Sequence, residues 1–94
     1  MKFVLRVANR YKKDHRKMEK MLTGKHREKL KTAITMLLED LRLTEIYKDH
    51  PLTGEWKSYR ECHIAPDLLL IYRVARQAGE LQLVRLGSHS ELFR

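Results

Sequence analysis

Three strand candidates in the second half of the chain, residues 56–64, 67–74 and 81–86, are separated by only two and six residues (65–66 and 75–80). Links that short cannot carry a parallel crossover, so the three stretches must be antiparallel neighbours in one sheet. Pro66 falls in the first turn and Ala78-Gly79 in the second, outside the paired residues. The middle stretch, Leu68-Leu69-Leu70-Ile71-Tyr72, does not alternate with polar residues. It reads as a central strand covered on both faces.

What covers that sheet is encoded upstream. Residues 2–7 form a short β-branched run, a first strand. From about Asn9 the period changes: Tyr11, His15, Met18 and Leu22 recur every three or four residues, with Lys and Arg between them. Thr23-Gly24 breaks this helix, and a second follows with Leu30, Ile34, Leu37, Leu38 and Leu41 on one face. Residues 42–54, punctuated by Pro51 and Gly54, read as a loop. The order is β-α-α-β-β-β. The expected fold is α+β, a helical hairpin packed on one face of a small, mostly antiparallel sheet, in one domain spanning residues 1–94.

Charge narrows the partners. The formal net charge is +8, and between Arg10 and Lys31 ten Lys or Arg face three Asp or Glu. Such a block attracts polyanions, nucleic acid above all, although a lysine-rich solvated helix face carries the same charge without binding anything. No apolar run reaches the length of a membrane span and no secretory leader is seen, so a cytoplasmic protein with no membrane partner is expected. The single cysteine, Cys62, permits no internal disulfide.

Three histidines lie in short polar contexts: Asp49-His50-Pro51, Cys62-His63-Ile64 and Ser88-His89-Ser90. Strand alternation puts Tyr59, Glu61 and His63 on one face of the first meander strand, and Arg60, Cys62 and Ile64 on the other, under the helices. Asp67 follows a tight turn, His89 follows the last strand and His50 precedes the first. The topology can bring all four groups to one side of the sheet. Histidine serves as base when neutral and as acid when charged, which suits cleavage of RNA through its 2′-hydroxyl, with Arg60, Arg73 or Arg85 against the phosphate. Each residue taken alone also fits a plainer role: His50 and Asp67 as loop and turn residues, His63 as a cross-strand partner, His15 and His26 as solvated side chains of the basic helices. The absence of CxxC or HxxxH spacing argues against a structural zinc site, and no metal or cofactor is expected. A phosphate-cradling GxxxxGK loop and a GxSxG elbow are both missing.

Four blocks, Tyr47-Lys48-Asp49-His50-Pro51-Leu52-Thr53-Gly54, Tyr59-Arg60-Glu61-Cys62-His63-Ile64, Pro66-Asp67-Leu68-Leu69-Leu70-Ile71-Tyr72 and Arg85-Leu86-Gly87-Ser88-His89-Ser90-Glu91-Leu92-Phe93, taken in this order, resemble the YafQ branch of the RelE-like toxins. These are the toxin halves of bacterial type II toxin–antitoxin pairs. The resemblance covers the C-terminal half; the N-terminal half agrees in layout. It implies a RelE-like fold and a ribosome-dependent mRNA endoribonuclease that inhibits translation and is neutralised by a cognate antitoxin. It also implies His50, His63, Asp67 and His89 as the catalytic set, with Phe93 positioning substrate; of the three arginines, Arg85 is the one expected to position substrate beside it. The division of base and acid among the four stays open. Lys12, Lys13, Arg16 and Lys17 on the basic hairpin would then meet ribosomal RNA. The alternatives are a nuclease acting on free RNA and a non-catalytic RNA- or protein-binding module of the same fold.

Overall fold

A computed structural model of the chain describes residues 1–93. Five strands, β1 (Val4–Val7), β2 (His50–Pro51), β3 (Arg60–Ala65), β4 (Leu68–Ala75) and β5 (Glu80–Gly87), form one sheet in the order β1-β5-β4-β3-β2. The meander β3-β4-β5 is antiparallel, as the short connections require, and β2 adds an antiparallel edge. β1 is the exception, lying parallel to β5 at the other edge with Val4 opposite Glu80 and Val7 opposite Leu83. The turn between β4 and β5 uses Gly79 at φ 67°, a conformation that costs glycine nothing.

The helices are α1 (Asn9–Met18), α2 (Gly24–Leu38) and a short C-terminal α3 (His89–Leu92). α1 ends four residues before the apolar stripe does. Thr23 is extended and its side chain caps α2 by accepting from the His26 N–H at 3.1 Å, so Thr23-Gly24 opens the second helix rather than closing the first, which has already ended at Met18. Leu22 stays buried between them. Tyr11, Leu30, Ala33 and Leu37 pack from the hairpin onto Cys62, Ile64, Leu70, Leu81, Leu83 and Leu86 of the sheet.

The opposite face carries a second, smaller core. Leu69 and Ile71 of β4 meet Leu92 of α3, flanked by Leu52, Trp56, Tyr59 and Val84. β4 is thus buried on both faces, the reason its sequence does not alternate. β3 begins at Arg60, later than the Trp56 start expected from the sequence, because Gly54 at φ 65° starts a 3-10 turn over Gly54–Trp56 and the Tyr59 N–H closes onto the Trp56 carbonyl at 2.9 Å. Residues 42–54 also differ from a plain loop: they contain a 3-10 turn at Glu45–Tyr47 and the two-residue strand β2. Pro51 fits there because an edge strand can lack a donor.

Candidate active site

β3 sets the site. Cys62 and Ile64 point into the helix-side core, so Glu61 and His63 emerge on the other face. β2 pairs in a register that puts His50 directly opposite Glu61. His89 arrives from the end of β5 by a sharp reversal. Gly87 is buried there, and a β-carbon on it would sit 3.2 Å from Leu92 Cδ2 and 3.3 Å from Glu91 Oε1, so a larger residue would press on the α3 side chains that fold back over it. Ser88 and Glu91 form a capping box that starts α3 at His89. Asp67, in the β3–β4 turn after a register shift between His63 and Ala65, accepts the His89 backbone N–H at 3.3 Å.

The three rings converge on one atom. Glu61 Oε1 lies 3.4 Å from His63 Nε2, 3.5 Å from His89 Nε2 and 3.9 Å from His50 Nε2. Glu61 is 3% exposed, the one charged residue buried among the described residues. A buried carboxylate is costly without compensating partners, and the nearest here are the Nε2 atoms of His63 and His89, from β3 and the start of α3. Asp67 Oδ1 faces the far side of the His89 ring, 3.5 Å from Nδ1. On His50, Nδ1 lies 2.7 Å from the Lys48 carbonyl.

The histidines are not equivalent. His63 is the most enclosed, with a side chain 19% exposed against 47% for His50 and 56% for His89. Burial lowers its proton affinity below the ordinary histidine value; Glu61 opposes this, while the charges of Lys48, His50 and His89 add to it. Phe93 leaves part of its ring in solvent, 6.1 Å from the His89 ring and 5.9 Å from that of Trp56. Cys62 is fully buried and its thiol is pushed up to about 12, first by burial, so it offers no nucleophile. Among the described residues no set of three or more His, Cys, Asp or Glu side chains is arranged to hold a metal ion.

His50, His63, Asp67 and His89 are thus brought together, with Phe93 at the rim. Arg85 is placed elsewhere. A bulge at Val84, where Ile71 pairs with Arg85 but Tyr72 with Leu83, accompanies an Arg85 side chain that reaches α1. Its Nε and Nη2 donate to Asp14 at 2.8 and 3.2 Å, and Asp14 also accepts the Leu86 N–H at 3.0 Å. Arg60 is likewise engaged, by Asp49. Lys12, Lys13, Arg16 and Lys17 are exposed along α1, and Lys17 Nζ approaches Glu91 Oε2 at 3.6 Å, at the edge of α3. His15 and His26 stay on the helices, His15 stacked beside Tyr11 at 6.1 Å. The sequence reading left Glu61 out of the site. Its signal was present in the alternation that puts a carboxylate on the same face as His63.

Comparison with known proteins agrees with this fold. The family described as "Bacterial toxin of type II toxin-antitoxin system, YafQ" matches residues 3–94. The mRNA interferase toxin YafQ of Escherichia coli K12 is 39% identical over 90 residues, covering 95% of this chain and 94% of that protein. A metal-bound toxin from Helicobacter pylori superposes with a TM-score of 0.88 at 41% identity, over 97% of this chain and 99% of that one. The toxin in the E. coli DinJ–YafQ complex gives 0.84 at 34% identity, over 98% and 99%. With its helical hairpin on one side of the sheet and its histidines gathered on the other, this chain belongs to the YafQ family of bacterial type II toxin–antitoxin toxins.

Proposed function

We propose that the chain is an endoribonuclease that cuts mRNA on the ribosome in the cytoplasm, and that Glu61, His50, His63, Asp67 and His89 form its catalytic group. The observation that carries this reading is the convergence of three imidazole Nε2 atoms on one buried carboxylate oxygen. The naming of the E. coli relative as an mRNA interferase toxin supports the substrate.

The chemistry follows from the two kinds of histidine. His63, whose enclosure favours the neutral ring, takes the proton from the 2′-hydroxyl. The 2′-oxygen attacks the adjacent phosphorus, the bond to the 5′-oxygen breaks, and His89 protonates the departing oxygen. Both nitrogens of His89 face a carboxylate oxygen, an arrangement in which each can carry hydrogen. The products are a 2′,3′-cyclic phosphate and a 5′-hydroxyl end, and the step as written uses no metal ion. Lys48, whose charge reaches His63, stands beside the cluster to oppose the charge gathering on phosphate. Phe93 offers a partly exposed face for a nucleobase. Arg85 supports the site from behind, by tying the end of β5 to α1 through Asp14.

A cognate antitoxin is the protein partner, as DinJ is for the E. coli toxin. The exposed cations of α1 contribute ribosomal RNA contacts. No helix is long and apolar enough to cross a membrane. Induced expression of wild type, His63→Ala and His89→Ala tests the reading. Wild type arrests growth and both variants, folded by circular dichroism, do not; arrest by both variants would leave only a binding role for this fold.

A further inference from the structure

Beneath His50, on the other side of the sheet, lies a polar group that the cleavage chemistry leaves unused. Asp49 is held by two donors: Arg60, with Nη2 at 3.1 Å from Oδ2 and Nε at 3.4 Å from Oδ1, and the Tyr72 hydroxyl, which donates to Oδ1. Tyr72 is 1% exposed, and Asp49 is the partner that satisfies its buried phenol.

The strand that presents His50 has little else to fix it. β2 pairs through two residues, and one of them, Pro51, has no N–H to give. Its entry is unusual as well. Lys48 has left-handed backbone angles, φ 48° and ψ 42°, a region that a long side chain occupies only when its surroundings impose it. That conformation turns the Lys48 carbonyl to within 2.7 Å of His50 Nδ1. A carbonyl only accepts, so the ring proton resides on Nδ1 and the lone pair of the neutral ring on Nε2, which faces Glu61.

We propose that Asp49, gripped by Arg60 and Tyr72, is a positioning residue for His50: it locks Lys48 in the left-handed turn whose carbonyl fixes the His50 tautomer and aims Nε2 into the cluster. The inference rests on His50 belonging to the catalytic group. A plain loop fastener would hold the segment without dictating where the imidazole proton sits, and that difference is measurable.

Long-range 1H–15N correlation spectra at pH 8 report the tautomer of His50 directly. Wild type shows the Nδ1–H form. Tyr72→Phe, which keeps the buried ring, and Asp49→Ala, which removes the acceptor, shift His50 toward Nε2–H. In the same variants kcat for mRNA cleavage falls by about 10- to 100-fold with KM little changed, the scale expected when a reacting group is misplaced by about 1 Å. If Asp49→Ala does not fold, Tyr72→Phe and Asp49→Asn carry the test. Folded Tyr72→Phe and Asp49→Asn proteins that keep the Nδ1–H form and the wild-type kcat overturn the proposal. Should His50→Gln cleave at the wild-type rate while the tautomer still shifts, the clamp stands and the assignment of His50 to the catalytic group fails.

Discussion

At position 61 the chain puts a carboxylate where the face of a sheet ordinarily takes an apolar side chain, and the surrounding residues answer that charge. Three imidazoles reach Glu61 from β2, β3 and the start of α3, at 3.4–3.9 Å. His63 pays most for its enclosure, in keeping with the role of base proposed for it. The same enclosure couples folding to pH. His63 binds its proton less readily in the folded protein than in the unfolded chain, so acidification through the usual histidine value of about 6.5 favours unfolding, and stability returns as pH rises through that window. Urea denaturation of wild type and His63→Gln at several pH values checks the sign. The wild-type advantage over the variant should be larger at pH 7 than at pH 5, and the reverse order would refute the assignment of His63 as a neutral base. The histidines were readable from the sequence as a set because alternation and turn positions bring them to one side. Glu61 was readable as a neighbour on that face, but its burial was not, since it depends on His50 and His89 arriving from distant segments.

Elements rather than single residues decide where His89 sits. β5 ends at Gly87, the capping box of Ser88 and Glu91 turns the chain, and Leu92 seals the second core against Leu69 and Ile71. Gly87→Ala should cost about 1 kcal/mol through overpacking against Leu92, and Gly87→Val more. Both should lower cleavage more than they lower stability, because α3 carries His89; thermal melts and cleavage rates measured on the same samples compare the two. Wild-type cleavage by Gly87→Val would mean that the reversal does not position the histidine. The meander and the hairpin were legible because periodicity and link length are local properties. β2 was not: two residues cannot display an alternation, and what makes them a strand is the Asp49–Arg60–Tyr72 clamp and pairing to β3. The parallel pairing of β1 with β5 is a choice of edge, which local pattern does not encode.

On the scale of the molecule, the fold separates its basic helices from its histidine cluster. The helical hairpin buries one sheet face and turns its cations outward, while the other face holds the histidine cluster under α3. The contact between Lys17 and Glu91 brings the end of the basic helix to the edge of α3, which carries His89 of the proposed site. Charge reversal at Lys12, Lys13, Arg16 and Lys17 should therefore weaken ribosome association and lower the slope of log affinity against log salt by about 3, as expected for four lost phosphate contacts. An unchanged slope in sedimentation or filter binding would remove α1 from the RNA surface. The excess of positive charge on the hairpin was plain from composition, but its nearness to the site required the reversal at Gly87 to be seen. The central claim, that the group around Glu61 cuts mRNA, is tested most directly by single-turnover cleavage of a defined mRNA on purified ribosomes, with the new 5′ ends mapped. Wild type should leave 5′-hydroxyl ends, and a folded Glu61→Gln protein should cut at least about 100-fold more slowly. Equal rates for the two proteins would contradict the account.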